Sequence, residues 1–103
     1  MTDTSFDGRF EWDSEKNAIN KRKHGLSFEE ILPMFDDPFF LERFDYNHSD
    51  DSEDRMFGLG SVNGIVIIAV AFAERTRIRI ISARLASPME EKVYYENYRR
   101  FNS

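Results

Sequence analysis

Two short stretches of this 103-residue chain concentrate the side chains best able to handle a phosphate group. One runs from Phe10-Glu11-Trp12-Asp13 through Lys16 and Asn20 to Lys23-His24-Gly25, and the other is Arg79-Ile80-Ile81-Ser82-Ala83-Arg84. A guanidinium grips phosphate with two parallel hydrogen bonds, whereas a lysine acts as a point charge. An imidazole exchanges protons near neutral pH. Arg79, Arg84, Lys16 and Lys23 are therefore candidate phosphate ligands, and His24 a candidate proton shuttle. Each also has an ordinary alternative. His24 could cap the end of its helix, the lysines could form a solvated face balanced by Glu15, and the arginines could pair with some of the many carboxylates.

Regular elements must hold these groups. Arg9 to Trp12 reads as a first strand after a flexible start at residues 1–8, and Asp13 can cap a helix that runs to His24 and stops at Gly25. On that helix Lys16, Asn20 and Lys23 share a face at i, i+4 and i+7, with Ile19 expected on the buried side. Ser27-Phe28-Glu29-Glu30 is a capping box opening a second helix, which Pro33 kinks or shortens. Phe39 to Tyr46 reads as a strand, and Asn47 to Asp54 as an exposed acidic loop carrying His48. Asn63-Gly64 joins Arg55–Val62 to Ile65–Ala73 in a tight hairpin. Arg77 to Ala83 follows, its alternation placing Arg77, Arg79 and Ile81 on one face and Ile78, Ile80 and Ser82 on the other. Ser87-Pro88-Met89-Glu90 opens a last helix with an apolar stripe of Tyr94, Tyr98 and Phe101. The order β-α-α-β-β-β-β-α implies an α+β fold, an antiparallel sheet packed with helices, with residues 9–103 as a single domain.

Composition narrows the chemistry. The chain has no Cys, which removes disulfides, thiolate catalysis and Cys-ligated metals and suits a reducing compartment, with cytoplasm expected. The apolar run Ile65–Ala73 is about half of what a membrane helix needs. A net charge of −5 argues against indiscriminate nucleic-acid binding. Residues 58–89, however, hold Arg75, Arg77, Arg79 and Arg84 against Glu74 alone, which leaves room for a basic strip on an acidic body. Asp50, Asp51, Glu53 and Asp54 lack calcium-loop spacing and read as a solvated loop, and no metal or cofactor site is expected. Phosphate-loop, serine-hydrolase and zinc-protease motifs are also missing.

The motifs F-E-W-D at 10–13, K-x-x-x-N-x-x-K-H-G at 16–25, Phe28, E-x-R at 53–55, Gly58 and R-I-I-S-A-R-x-A at 79–86 resemble the BrnT family of type II toxins over residues 9 to about 96. The resemblance implies a RelE-like ribonuclease fold, RNA cleavage without a metal, and inhibition by a BrnA-type antitoxin carrying a ribbon-helix-helix DNA-binding domain. DNA would then be contacted only through that partner.

Such cleavage needs a base for the 2′-hydroxyl, an acid for the leaving 5′ oxygen and fixed cations for the charged transition state. On this reading His24, Arg79, Arg84, Arg55 and Lys23 are the catalytic candidates. Arg55 is expected to converge with Arg79 across neighbouring strands, unless it pairs with Glu53 or Asp54. Trp12, Lys16, Asn20, Tyr94 and Tyr95 are candidate RNA contacts. Trp12 would stack on a base or lie in the core, and one of the two tyrosines is expected to be buried. A second reading is a catalytically weak member serving as a protein-binding module.

Overall fold

The computed structural model describes residues 1–46 and 54–102. His48, Asp50, Asp51 and Glu53 lie outside the described residues. Six strands form one sheet: β1 (Thr2–Thr4), β2 (Phe10–Asp13), β3 (Leu41–Phe44), β4 (Arg55–Val62), β5 (Val66–Glu74) and β6 (Ile78–Leu85). Three helices accompany them, α1 (Ser14–His24), α2 (Phe28–Ile31) and α3 (Pro88–Asn102), and a 3-10 turn, Leu32–Asp36, follows α2. The spatial order is β1-β2-β6-β5-β4-β3. The expected α+β architecture is present, with two differences. The start that read as flexible contributes edge strand β1, pairing Thr2 with Asp13 and Thr4 with Glu11. The contact between β2 and β6 is parallel, through Phe10–Ile78 and Glu11–Arg79, so the sheet is mixed.

Local chemistry sets the element ends. Asp13 accepts hydrogen bonds from the Glu15 and Lys16 amides at the start of α1, and Gly25 ends it at φ 74°, a left-handed cap that glycine adopts without steric cost. The Ser27–Glu30 capping box opens α2, and Pro33 holds it to four residues before the 3-10 turn. Asn63 and Gly64 both have positive φ, 59° and 69°, the geometry of a type I′ hairpin. The third strand is shorter than its apolar pattern suggests. Asp37 accepts from the Phe39 amide and its carbonyl from the Phe40 amide, so the chain turns before Leu41.

The main core lies on one face of the sheet, where Phe28, Ile31 and Met34 pack against Phe10, Trp12, Ile68, Val70, Phe72, Ile80 and Ala83. Each buried Phe, Ile, Val or Met side chain in this set contributes about 1.5–3 kcal/mol. Glycines on this face of β4 admit close packing: a Cβ on Gly58 would sit 2.5 Å from the Phe40 ring, and one on Gly60 2.9 Å from the Met34 carbonyl. On the opposite face α3 covers only part of the sheet, burying Tyr94 with Leu59, Ile67 and Ala69. The uncovered part carries the arginines. No helix among the described residues is long and apolar enough to cross a membrane.

Candidate functional site

Strict alternation along β6 would put Arg79 and Arg84 on opposite faces. The pairing with β5 shows otherwise. Ile80 faces Phe72 but Ser82 faces Ala71, so Ile81 is an extra residue, a β-bulge. Residues directly opposite each other share a face, so Arg79, Ser82 and Arg84 stand beside Ala73, Ala71 and Ala69 on the face left open by α3. This corrects the alternation expected for Ser82, and the bulge is the reason. Arg55 on β4 also pairs with Ala73, so Arg79 and Arg55 flank one alanine from both sides, their backbones about 10 Å apart at ordinary strand spacing.

A groove of about 380 Å³ crosses this face, lined by Arg43, Asp45, Arg55, Phe57, Ala69, Ala71, Ser82, Arg84 and Glu90. Its floor is made of small side chains, and its walls hold three arginines together with Asp45, Glu90 and the Phe57 ring. Beside it a second recess, about 180 Å³, is lined by Lys16, Ile19, Asn20, Lys23, His24, Ile81 and Ser82. Ser82 belongs to both. The histidine and lysines of α1 therefore border the same strip of sheet as Arg55 and Arg84.

What fixes α1 there is Asn20. Beyond Arg79, β6 no longer pairs with β2, and the Ala83 backbone on that edge would be unsatisfied. The Asn20 carboxamide supplies the missing partner: Oδ1 accepts from the Ala83 amide at 3.1 Å and Nδ2 donates to the Ala83 carbonyl at 2.8 Å. Nδ2 also donates to the Leu26 carbonyl at 2.9 Å, tying down the loop just after His24. The last turn of the helix is capped without the histidine. The Gly25 amide donates to the Lys21 carbonyl and Lys21 Nζ to the Gly25 carbonyl. The half-exposed His24 ring makes no hydrogen bond to any described residue, so helix capping is not its role here.

Three expected RNA contacts are corrected by burial. Asn20 is 6% exposed and bound to backbone, and Ile19, expected inside, is 44% exposed. The buried side of this helix meets a strand edge rather than an apolar core. Trp12 is 3% exposed and meets Phe28 edge-on, so no base can stack on it. Among the described residues its Nε1 is the buried side-chain nitrogen left without a hydrogen-bond partner. Tyr94 is buried as well and donates to Asp37 Oδ2 at 2.6 Å. Tyr95 is half-buried in a separate recess with Pro33, Asp37 and Tyr98, away from the groove.

The two arginines of the 79–86 motif are both paired. Arg79 Nη1 donates to Glu11 Oε2 at 3.2 Å, partly buried, and Arg84 engages Glu90 with both Nη atoms, at 2.7 and 3.0 Å. Arg84 and Arg55 line the groove, whereas Arg79 stands on the same face outside it. Sequence reasoning missed Arg43 and Phe57, whose cation–π contact at 5.1 Å provides an aromatic surface in the groove. Their only signal was position: they face one another across β3 and β4. Asp37 was missed too. Burial would raise its carboxyl, but hydrogen bonds from Tyr94, Phe39 and Ser61 outweigh that and hold it below the usual carboxylate range. Burial, reinforced by Asp37, pushes the Tyr94 hydroxyl up to about 12.

Tyr94→Phe is accordingly expected to cost about 1.5–3 kcal/mol at neutral pH, the value of a hydrogen bond to a charged group. Because the folded state lowers the Asp37 pKa, this stabilisation is present above the ordinary carboxylate range and is lost as pH falls through the lower folded value. Urea unfolding of parent and variant checks this: the gap between them narrows in acid.

No group of three His, Asp or Glu side chains among the described residues is arranged to hold a metal ion. A family model for the ribonuclease toxin BrnT of type II toxin–antitoxin systems matches residues 12–90. The crystal structure of the Brucella abortus ribonuclease toxin BrnT matches with a TM-score of 0.54 and 34% sequence identity, covering 74% of this chain and 92% of that one. No curated protein matches the chain. These matches give no support to a purely protein-binding module.

Proposed function

This chain belongs to the BrnT family of ribonuclease toxins of type II toxin–antitoxin systems, and from that premise we propose that it is an endoribonuclease that cuts RNA without a metal ion in the groove on the open face of its sheet. The observation that carries this reading is Ser82, shared by the His24 recess and the arginine groove. A phosphodiester over Ala69, Ala71 and Ser82 lies between Arg55 on the β4 side and Arg84 with the His24 recess on the β6 side.

The division of labour follows from the chemistry. The small floor lets the RNA backbone approach the sheet closely. His24 exchanges a proton with the 2′-hydroxyl or the leaving 5′ oxygen, and Arg84 and Arg55 hold the charge that builds on the phosphorus-bound oxygens. Lys23 and Lys16 continue the positive strip along α1, and Arg79, oriented by Glu11, extends it past Ala73. The Phe57 ring takes the stacking role that Trp12 cannot. The same reading gives the protein a cytoplasmic setting and a BrnA-like antitoxin as its inhibitor, with any contact to operator DNA made by that partner.

Attack by the 2′-hydroxyl dictates the products: a 2′,3′-cyclic phosphate on one fragment and a 5′-hydroxyl on the other. End analysis of a cleaved oligonucleotide is expected to show these ends, and a 2′-deoxy substitution at the cut nucleotide is expected to abolish cutting there. Products with 5′-phosphate, or cleavage of the deoxy-substituted site, would overturn the mechanism.

A further inference from the structure

The Arg84 guanidinium has five N–H donors in a rigid plane, and their partners account for three of them. Nη1 donates to Glu90 Oε1 at 2.7 Å and to the Leu85 carbonyl at 3.3 Å, and Nη2 donates to Glu90 Oε2 at 3.0 Å. The remaining two, Nε–H and the outer Nη2–H, lie side by side and have no partner among the described residues. Two parallel donors of this kind are the fork that grips two oxygens of a phosphate. Glu90 thus occupies the end of the guanidinium and leaves its side edge for an anion.

Glu90 is itself immobilised. Its Oε1 accepts from the Ser87 amide at 2.8 Å while its own amide donates to Ser87 Oγ at 3.2 Å, the capping box that begins α3. The Arg84 guanidinium and these Ser87 bonds hold its carboxyl down to about 2, so it remains an anion throughout the working pH range and is unsuited to take up a proton. Both Arg84 and Glu90 line the groove.

We propose that Glu90 is a positioning residue for RNA cleavage: locked by the start of α3, it grips one end of the Arg84 guanidinium and presents the free fork to the scissile phosphate. This rests on the reading of the groove as the cleavage site. Removing the grip lets the long arginine side chain wander, and a misplacement of about 1 Å costs on the order of 100-fold in rate.

Glu90→Asp keeps the charge and the acidic residue in the first turn of α3 but withdraws the carboxylate by one methylene. We expect kcat to fall about 10- to 100-fold, KM to rise by up to about tenfold with the weaker phosphate grip, and the melting temperature to drop by about 4–8 °C as the Ser87 cap is lost. In an Arg84→Ala background, Glu90→Asp is expected to have no further effect, because it acts through the arginine. In parallel, NMR of protein labelled with 15N-arginine follows the Arg84 Nε–H as inorganic phosphate is added. The signal is expected to shift in the parent and to need at least about tenfold more phosphate in Glu90→Asp.

Parental or higher kcat in Glu90→Asp, an equal loss on top of Arg84→Ala, or identical phosphate titrations would each overturn the inference. An Arg84→Ala variant that cleaves like the parent would instead refute the assignment of the groove. If the parent cleaves no RNA, the proposed function fails, and the phosphate titration still decides whether Glu90 positions Arg84.

Discussion

Replacing His24 by alanine is expected to lower RNA cleavage by about 100- to 10,000-fold, the range supplied by a positioned general acid or base. The folded structure should scarcely notice the change. His24 makes no hydrogen bond to a described residue, and Gly25 and Lys21 complete the end of α1 without it. Thermal unfolding and circular dichroism are therefore expected to match the parent while the rate collapses. A folded His24→Ala protein with parental activity would show that the imidazole is a bystander and move proton transfer elsewhere on the sheet face.

The second large effect is structural. Asn20→Ala removes three hydrogen bonds and leaves the Ala83 amide and carbonyl unpaired at a closed strand edge. A buried backbone group without a partner costs about 1–3 kcal/mol, so a loss of about 2–4 kcal/mol is expected. At about 4–8 °C per kcal/mol for a domain of this size, the melting temperature falls by about 10 °C or more. Activity falls too at temperatures where the variant is folded, because the Leu26 tether that steadies the segment after His24 is gone. Asn20→Asp is expected to do no better, since its carboxylate would face two carbonyl oxygens. A change below about 0.5 kcal/mol, as for an ordinary surface position, would mean that water or backbone movement replaces the carboxamide.

The fate of Asn20 shows where sequence reading works and where it stops. Elements marked by local chemistry were legible: the Asn63-Gly64 hairpin, the Ser27–Glu30 box and the glycine at the end of α1 all depend on residues close in the chain. The inward face of α1 was not. Helical periodicity identifies a buried side by its apolar residues, but this helix covers the edge of β6 beyond its pairing with β2, where the required partner is a hydrogen-bonding amide. Ile19 was the misleading cue, and the Asn20 contact spans 63 residues.

A similar limit applies to the two arginines. Alternation separates Arg79 from Arg84, and only the β-bulge at Ile81 returns them to one face. The bulge is visible in strand pairing and has no local residue signature here. Family resemblance grouped the two arginines without that step. Strand β1 escaped because three small polar residues pairing at an edge leave no hydrophobic pattern. Phe57 and Arg43 became site candidates only when β3 and β4 were set side by side. The acidic body around them is consistent with a confined basic groove rather than a general affinity for nucleic acid.

Degradation of a long single-stranded RNA in excess EDTA, by the parent and by folded His24→Ala and Arg84→Ala variants, is the decisive assay for metal-independent cleavage in the groove. The parent is expected to cleave at an undiminished rate with the chelator present, and both variants to lose nearly all activity. Cleavage that stops when EDTA is added, or that persists in both variants, would contradict this mechanism.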